Sequence, residues 1–228
     1  MAERHVVDLY AIDLDDARWD DFADALDAAE VERFSRMIAV AAQAQQRRCR
    51  IALRRILAER LGCAPHAVHL TTSQWGKPSA VGAAFDFSVS HSGWRGLVAV
   101  GNGPLGVDLE DQNARNIEAS SLLPLVAHPL EEEALLGADP IRIHAAFFRM
   151  WTRKEAYCKA LGLGLAKDMK SFRIEDRPTG LEAIDPAEPG GPRFVCDLPA
   201  PDGFAAALAC GVRAPTLRCR NATGIEIK

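Results

Sequence analysis

The sequence predicts an α+β protein in which helices and strands follow one another in mixed order. Helical periodicity is present in two long segments, and shorter apolar or alternating segments bounded by turn residues predict strands. No regular strand–helix–strand alternation accompanies them. The chain of 228 residues is long enough for a substantial core, and 48% hydrophobic with 25% charged residues is typical of a globular protein.

The two long helices are predicted over residues 40–61 and 144–161. In each segment, apolar residues recur at spacings of three and four, which places them on one helical face. Gly62 follows the first segment, and Gly162 and Gly164 follow the second. Since glycine readily adopts the left-handed conformation that ends helices, both boundaries are supported by a terminator. The acidic stretch 13–32 predicts one or two further short helices.

Strands are predicted in eight short segments, of which residues 85–90 show the strict alternation of a half-buried strand. The segments are 5–12, 69–72, 85–90, 97–100, 105–110, 172–174, 193–197 and 205–212. The turn at 101–104 either closes a hairpin or separates two halves of similar length. Residues 180–192, rich in proline and glycine, predict a connection.

Charge is distributed unevenly along the chain. The net charge of −4 disfavours a globally basic nucleic-acid binder. Residues 1–32, however, carry 11 acidic residues against two arginines, whereas residues 33–60 carry eight arginines against Glu59. The arginine-rich segment is either a solvated helix face neutralised by the acidic stretch, or a wall that receives phosphate groups. Both interpretations can hold at once.

The remaining composition indicates a protein of the cytoplasm. The six cysteines lie outside CxxC pairs and metal-ligand spacings, so we expect reduced, mostly packed thiols. No signal peptide is apparent, and no apolar run approaches the roughly 18 residues of a membrane span. We therefore expect no membrane partner and no nucleic-acid partner.

Four acidic and basic side chains form the first candidate site. Asp108 and Glu110 are two residues apart on a predicted strand, so they share one face, and two neighbouring carboxylates favour a hard divalent cation such as Mg²⁺. Glu155 and Lys159 share a helix face and could add a third carboxylate and a phosphate-binding cation. The simpler interpretations are a solvated strand face and a surface ion pair.

Further groups suited to phosphate oxygens are scattered along the chain. His91 ends a predicted strand beside Ser90, and Lys77 lies in the rigid turn GKP. Each of these alone is as compatible with a structural role. The arginine cluster adds guanidinium groups that suit a terminal phosphate: Arg33, Arg36, Arg50 and Arg54. Without a Ser-His-Asp triad or a recognisable cysteine nucleophile, this inventory favours Mg²⁺-assisted phosphoryl transfer.

The order of four motifs makes this hypothesis specific. GKP, FSVSHS, GVDLE and WTRKEAYCKALGLGL occur in that order, and residues 30–210 resemble the Sfp-type 4′-phosphopantetheinyl transferases. The resemblance implies a pseudo-twofold pair of similar α+β subdomains, each a small, mainly antiparallel sheet packed with a long helix. It divides the chain into residues 1–103, on the side of the coenzyme A 3′-phosphate, and residues 104–228, with the metal and catalytic residues.

The resemblance also implies the reaction. Such an enzyme transfers 4′-phosphopantetheine from coenzyme A to a serine of an acyl or peptidyl carrier protein, as a holo-[acyl-carrier-protein] synthase does, and releases adenosine 3′,5′-bisphosphate. It would act as a monomer with Mg²⁺ or Mn²⁺. The carried-over metal ligands are Asp108, Glu110 and Glu155. The catalytic residues are Glu155 and Lys159, and the residues that hold coenzyme A are Arg33, Arg36, Arg50, Lys77, Ser90, His91 and Lys159.

Two positions depart from the family pattern, and two other functions remain open. Ser88 stands where the family commonly has asparagine, and His128 where a small hydroxyl residue is frequent. Residues 113–125 could form a docking surface for the carrier protein. The alternatives are a Mg²⁺-dependent phosphohydrolase, and a non-enzymatic RNA- or protein-binding module that uses the arginine-rich helix.

Overall fold

The computed structural model describes residues 5–113, 119–136 and 140–221, and it confirms the α+β class. The first half holds a long helix, a short helix and five strands. These elements are β1 (Val6–Asp13), α1 (Ala28–Ser35), α2 (Val40–Leu61), β2 (Leu70–Thr72), β3 (Pro78–Ala80), β4 (Asp86–Ser92) and β5 (Arg95–Gly101). A 3₁₀ segment, Ala17–Ala25, connects β1 to α1 and contains a kink at Phe22.

The second half repeats this inventory of short and long helices with strands. Its elements are β6 (Leu105–Asp111), α3 (Ala119–Val126), α4 (Pro129–Leu136), α5 (Pro140–Leu161), β7 (Arg173–Arg177), β8 (Gly180–Ile184), β9 (Phe194–Asp197), β10 (Phe204–Cys210) and β11 (Thr216–Asn221). Helix α5 begins four residues before the predicted start, whereas α2 has the predicted bounds. The sequence did not predict α3, α4, β3, β8 or β11.

Two main sheets organise these strands. The first has the order β11-β1-β5-β4, in which only β1 and β11 are parallel. The second has the order β6-β10-β9-β8-β7 and is antiparallel throughout. Strand β11 thus joins the sheet of the first half, although it comes from the end of the chain. The proposed boundary between residues 103 and 104 stays a prediction.

Each sheet packs against one long helix, and the two sheets also contact each other. Helix α2 buries Ile51 and Ile56 against the first sheet, where Val98 lies in the same cluster. Helix α5 buries Tyr157 against the second sheet together with Ala207. A third cluster joins the sheets and includes Val7, Leu9, Val107 and Leu208. The cores therefore hold the two sheet-plus-helix units together as neighbours.

The two long helices end in the same way, which relates the two halves residue by residue. Both helices span 22 residues, and both are followed by a glycine with positive φ, 66° at Gly62 and 78° at Gly162. The amide of Cys63 donates to the carbonyl of Ala58, and that of Leu163 to the carbonyl of Cys158. Counting back from the glycines pairs Arg54 with Lys154, and Arg55 with Glu155. This repetition supports the predicted pair of similar units.

All six cysteines are free, as predicted; Cys63 and Cys219 are exposed, and three of the others are buried. Among the helices that the structure describes, none is both long and apolar enough to cross a membrane.

Candidate active site

A cleft of about 410 Å³ opens where the first half meets helix α5. Four cationic side chains line it: Arg33, Arg50, Lys77 and Lys159. A smaller adjoining cavity of about 110 Å³ shares Arg33 and Arg50 and adds His91 and Gln46. Because positive groups from both halves face the same space, the cleft is suited to a ligand with several phosphate groups.

The three predicted carboxylates meet beside this cleft. Asp108 and Glu110 lie on one face of β6, while Val107 and Leu109 point into the core between the sheets, as predicted. Glu155 reaches the same region from α5, which packs on β6. Asp108 is 3% exposed and Glu155 is 7% exposed. The solvated strand face considered from the sequence is therefore wrong for Asp108.

Asp108 is held by a cation and a hydroxyl on one oxygen only. Its Oδ1 accepts from Lys159 Nζ at 2.7 Å and from Ser90 Oγ at 2.8 Å. Its Oδ2 is buried and has no hydrogen-bond partner among the described residues. An unsatisfied buried carboxylate oxygen is unfavourable. The ion pair of Lys159 with Asp108 also replaces the surface pair with Glu155 that the helix spacing alone favoured.

Burial raises the pKa of Glu155 to about 7. The negative charge of Asp108 acts in the same direction, the ammonium of Lys159 opposes it, and Glu110 adds a further increase. A carboxylate with this pKa changes protonation state near neutral pH, where an ordinary glutamate is fully ionised. Glu155 therefore has the property required of a general base at neutral pH.

The donor set fits a hard divalent cation, although its side chains are not yet arranged around one point. Carboxylate oxygens are the ligands that Mg²⁺ prefers, and the unpartnered Oδ2 of Asp108 supplies one. Within the ranges described, no three Asp, Glu, His or Cys side chains form a ready-made metal cluster. At Asp108, Lys159 and Ser90 both contact the other oxygen.

The predicted phosphate-binding residues Lys77, Ser90 and His91 have different positions and contacts. Lys77 lines the cleft but is folded back, donating to Asp86 Oδ2 at 2.6 Å and to the carbonyl of Leu105 at 3.1 Å. Ser90 donates to Asp108, and its Oγ also accepts from Lys159 at 3.0 Å. His91 is exposed to solvent, yet partial desolvation by its neighbours and then the charge of Lys159 lower its pKa and favour the neutral imidazole.

The arginines of the positive segment also separate into two groups. Arg33 and Arg50 face the cleft, and Glu30 holds the Nε of Arg50 at 3.2 Å. Arg36 is exposed and pairs with Glu32, and it lines neither cavity. Arg54 is 1% exposed and lies deep in the protein. Of the three arginines predicted to hold coenzyme A, Arg33 and Arg50 therefore face the cleft and Arg36 does not.

Acidic residues of the first segment neutralise most of the other arginines on α2. Arg47 and Arg48 pair with Asp20. Arg60 pairs with Asp8 near the end of the helix. This pairing disfavours the binding module that would use the arginine-rich helix, because such a module needs unpaired cations on its surface.

Sequence reasoning missed two contacts to Glu110. Ser92 Oγ donates to its Oε2 at 2.9 Å, and Trp151 Nε1 donates to its Oε1 at 3.3 Å. Trp151 is one of the apolar residues whose spacing predicts the helix over 144–161, and that pattern predicts packing rather than a polar contact. The signal available was its spacing of four residues from Glu155, which places both side chains on the same side of α5.

Comparison with known proteins shows the family to which the chain belongs. Residues 104–209 match the model of the 4′-phosphopantetheinyl transferase superfamily, a range that includes all three carboxylates and Lys159. Among solved structures, a holo-(acyl-carrier-protein) synthase from Bacillus anthracis covers 46% of this chain and 92% of its own, with 18% identity and a TM-score of 0.38. We draw no conclusion from a similarity that low.

Sequence relatives extend the match over most of the chain. The 4′-phosphopantetheinyl transferase HetI of Nostoc sp. is 33% identical over 181 residues, which cover 76% of this chain and 75% of HetI. A 4′-phosphopantetheinyl transferase of Bacillus subtilis is 26% identical over 144 residues, or 63% of each chain. A relative from Synechocystis sp. is 33% identical over 121 residues. This chain spans about half the length of that relative. The chain belongs to the 4′-phosphopantetheinyl transferase superfamily.

Proposed function

We propose that this protein transfers the 4′-phosphopantetheine group of coenzyme A to a serine of an acyl or peptidyl carrier protein and releases adenosine 3′,5′-bisphosphate. The observation that carries the proposal is the meeting of cations from both halves with the carboxylates of β6 and α5 at one cleft. Coenzyme A has phosphates at two places, the pyrophosphate and the 3′-phosphate, and the cleft offers cations at both ends.

The phosphate groups would be divided between the two halves. Arg33 and Arg50 lie together on the side of the smaller cavity and would hold the 3′-phosphate. Lys77 and Lys159 lie on the side of β6 and would hold the pyrophosphate, with Ser90 and His91 as further donors. Guanidinium forks suit a terminal phosphate, and ammonium groups act as point charges along the chain of phosphates.

Glu155 would act as the general base. It would accept the proton of the carrier serine while the serine oxygen forms a bond to the β-phosphorus of coenzyme A. The bond from that phosphorus to the oxygen of the α-phosphate breaks, and Lys159 donates to the departing phosphate. Without the cation the pKa of Glu155 is about 7. A bound cation would lower it and keep the carboxylate ionised, in the form that accepts a proton at neutral pH.

Asp108, Glu110 and Glu155 would hold Mg²⁺ or Mn²⁺. When bound, the cation would neutralise charge on the pyrophosphate oxygens. The unpartnered Oδ2 of Asp108 would gain a partner in the cation. Burial and then repulsion by Asp108 and Glu110 raise the pKa of Glu155, and the cation would offset that repulsion. A monomer in the cytoplasm, without nucleic-acid or membrane partners, stays a prediction.

Intact-mass analysis of carrier proteins tests the proposal. We expect at least one member of a panel of apo-carrier proteins to gain one phosphopantetheine group when incubated with the protein, coenzyme A and Mg²⁺. Glu155→Gln should lower the turnover rate by about 10²- to 10⁴-fold, because the serine loses its base. Arg55→Met, at the corresponding position of α2, is the matched control and should retain transfer.

Two results would contradict the proposal. Cleavage of the pyrophosphate bond of coenzyme A without any mass gain on a carrier would favour the phosphohydrolase. Full activity of a folded Glu155→Gln variant would remove Glu155 from the chemistry. Circular dichroism of both variants establishes that each is folded.

A further inference from the structure

Strand β4 contacts strand β6 through side chains at every second position. The two strands are edges of different sheets, and no backbone pairing joins them in the described ladders. Four β4 side chains reach across to β6 instead. The contacts are Leu105 N to Asp86 Oδ2 at 3.2 Å, Val107 N to Ser88 Oγ at 3.0 Å, Ser90 Oγ to Asp108 Oδ1 at 2.8 Å, and Ser92 Oγ to Glu110 Oε2 at 2.9 Å.

The partners of this side-chain ladder change along the strand. Asp86 and Ser88 accept from backbone amides of β6 that would otherwise be buried without a partner, and Asp86 also accepts from Lys77. Ser90 and Ser92 donate to carboxylates. Ser90 also contacts Lys159, so it belongs to the site already described. Ser92 is the member of the ladder whose role the proposed chemistry has not used.

Ser92 and Trp151 both donate to the carboxylate of Glu110. The two oxygens of Glu110 accept from different elements, Oε2 from β4 and Oε1 from α5. Two donors at fixed points define the rotation of the carboxylate plane, which a single contact leaves open. Each carboxylate oxygen has a second lone pair, so both contacts are compatible with a cation on the same group.

We propose that Ser92 is a positioning residue that orients Glu110 for the divalent cation. The proposal rests on the proposed function, because it takes Glu110 as a metal ligand. Hydrogen bonds from outer groups fix the orientation of ligating carboxylates and raise metal affinity. Ser92 acts only through Glu110; it touches neither the transferred group nor the cation.

Titration with Mn²⁺ alone tests this role without any turnover. Electron paramagnetic resonance of free Mn²⁺ gives the dissociation constant for the full chain and its variants. We expect Ser92→Ala to weaken Mn²⁺ binding by about tenfold, within the range seen when outer-shell partners of ligands are removed. Ser92→Thr keeps the hydroxyl and should restore affinity close to that of the wild type.

Ser88→Ala is the matched control from the same face of the same strand. It removes the acceptor of the Val107 amide, so we expect a lower melting temperature and an unchanged Mn²⁺ affinity. With carrier protein and coenzyme A, Ser92→Ala should raise the KM for Mg²⁺ while the KM for coenzyme A stays constant.

The outcomes separate this proposal from the proposed function. A Ser92→Ala variant that binds Mn²⁺ as tightly as the wild type overturns the positioning role, whether or not the protein transfers phosphopantetheine. Equal weakening in Ser88→Ala also overturns it, since the effect would then come from strand packing. A wild-type chain that binds no Mn²⁺ overturns it together with the metal assignment. Absence of transfer with intact Mn²⁺ binding contradicts the proposed function alone.

Discussion

The two halves of the molecule bury a cation at the same position and surround it differently. Arg54 on α2 is 1% exposed and binds Asp27 and Glu30, and it also donates to the carbonyls of Pro65 and Val68, each at 3.0 Å. Its counterpart Lys154 on α5 is fully buried. In both halves the carboxylate comes from the preceding short helix, and carbonyls come from the segment after the long helix.

Lys154 has fewer partners than Arg54. It binds Glu131, donates to the carbonyl of Phe172 at 2.8 Å, and lies 4.6 Å from the centre of the Phe172 ring. Glu30 and Glu131 each accept from the backbone amide of the residue that caps their helix, Asp27 and His128. His128 also caps α4 with its own ring nitrogen, so this departure from the family pattern preserves the cap.

The residue that follows the buried cation differs between the two long helices. Arg55 follows the buried cation of α2 and stacks over the ring of Phe22 at 3.9 Å. Glu155 follows the buried cation of α5 and faces the carboxylates of β6. The same scaffold therefore supports a structural contact in one half and the proposed base in the other. The buried cation and its carboxylate position each long helix, and the residue next to the cation determines whether that helix supplies a structural contact or the proposed base.

Helix-to-sheet distance is a second difference between the halves. A Cβ added at Gly106 on β6 would overlap the backbone of α5 at Ala156 and Ala160. A Cβ added at Gly96 on β5 would meet only side chains, at ordinary contact distances of 3.4 Å or more. Helix α5 thus lies directly on its strand, and this close approach brings Glu155 to Asp108.

Gly106→Ala should have the largest effect of the changes considered. Since backbone atoms of α5 cannot yield without moving the helix, we expect a loss of unfolding free energy of about 5 kcal/mol, or no folded protein. Gly96→Ala should change it by no more than about 1 kcal/mol. Guanidinium denaturation of both variants measures the difference, and equal effects would contradict the contrast in packing.

Removal of the buried cations should give the next largest effect. We expect Arg54→Met and Lys154→Met to cost about 3 to 5 kcal/mol of unfolding free energy, because each removes a buried cation from the carboxylate and carbonyl acceptors arranged around it. The loss should be larger for Arg54, which has two carboxylate partners and three carbonyl partners. Urea denaturation at neutral pH measures both.

A second change in the α5 half tests the cause of that loss. Glu131→Gln keeps an acceptor oxygen but removes the charge, so adding it to Lys154→Met should recover part of the stability. A double variant less stable than Lys154→Met would contradict the interpretation that an unpaired charge causes the loss.

The sequence predicted those elements whose signals are local. Helix α2 has the predicted bounds because its apolar stripe ends at a glycine terminator. Helix α4 had a local signal in its cap, because His128 stands at the cap position of the family pattern and Glu131 follows three residues later. Strand β11 could not be predicted in the same way. Its partner β1 lies some two hundred residues earlier, and pairing across that distance leaves no local pattern.

In the candidate site, too, the features with a local sequence pattern were predictable, and those that depend on packing between distant elements were not. The alternation of β6 predicts that Asp108 and Glu110 share a face, whereas the arrival of Glu155 there depends on how α5 packs. The polar face of β4 was visible in the sequence as well. Alternation alone does not say whether such a face meets water, a ligand or another strand, and here its serines meet β6.

The pH dependence of stability tests the contrast between Glu155 and Arg55. The pKa of Glu155 is about 7 in the folded protein and 4.5 for an ordinary glutamate. Between these values the folded state holds a proton that the unfolded state has lost, so stability falls as the pH rises from 4.5 to 7 and stays lower above 7. Glu155→Gln removes this dependence.

With a chelator present, Glu155→Gln should therefore become more stable than the wild type by about 3 kcal/mol at pH 8, with little difference at pH 4. Arg55→Gln, the matched control on α2, should shift stability equally at both pH values. Denaturation at the two pH values measures this. A Glu155→Gln effect independent of pH would contradict the raised pKa.

Arg50→Ala tests whether the first half binds the 3′-phosphate of coenzyme A. We expect it to have the smallest effect of the changes considered. Arg50 lines both cavities, and Glu30 already orients its guanidinium. Loss of a charge-assisted contact should weaken coenzyme A binding to Arg50→Ala by about tenfold, and binding of 3′-dephospho-coenzyme A much less. Arg47→Ala, whose side chain pairs with Asp20, should leave both affinities unchanged. Calorimetric titration measures all three proteins, and equal losses for the two ligands in Arg50→Ala would place the 3′-phosphate elsewhere in the cleft.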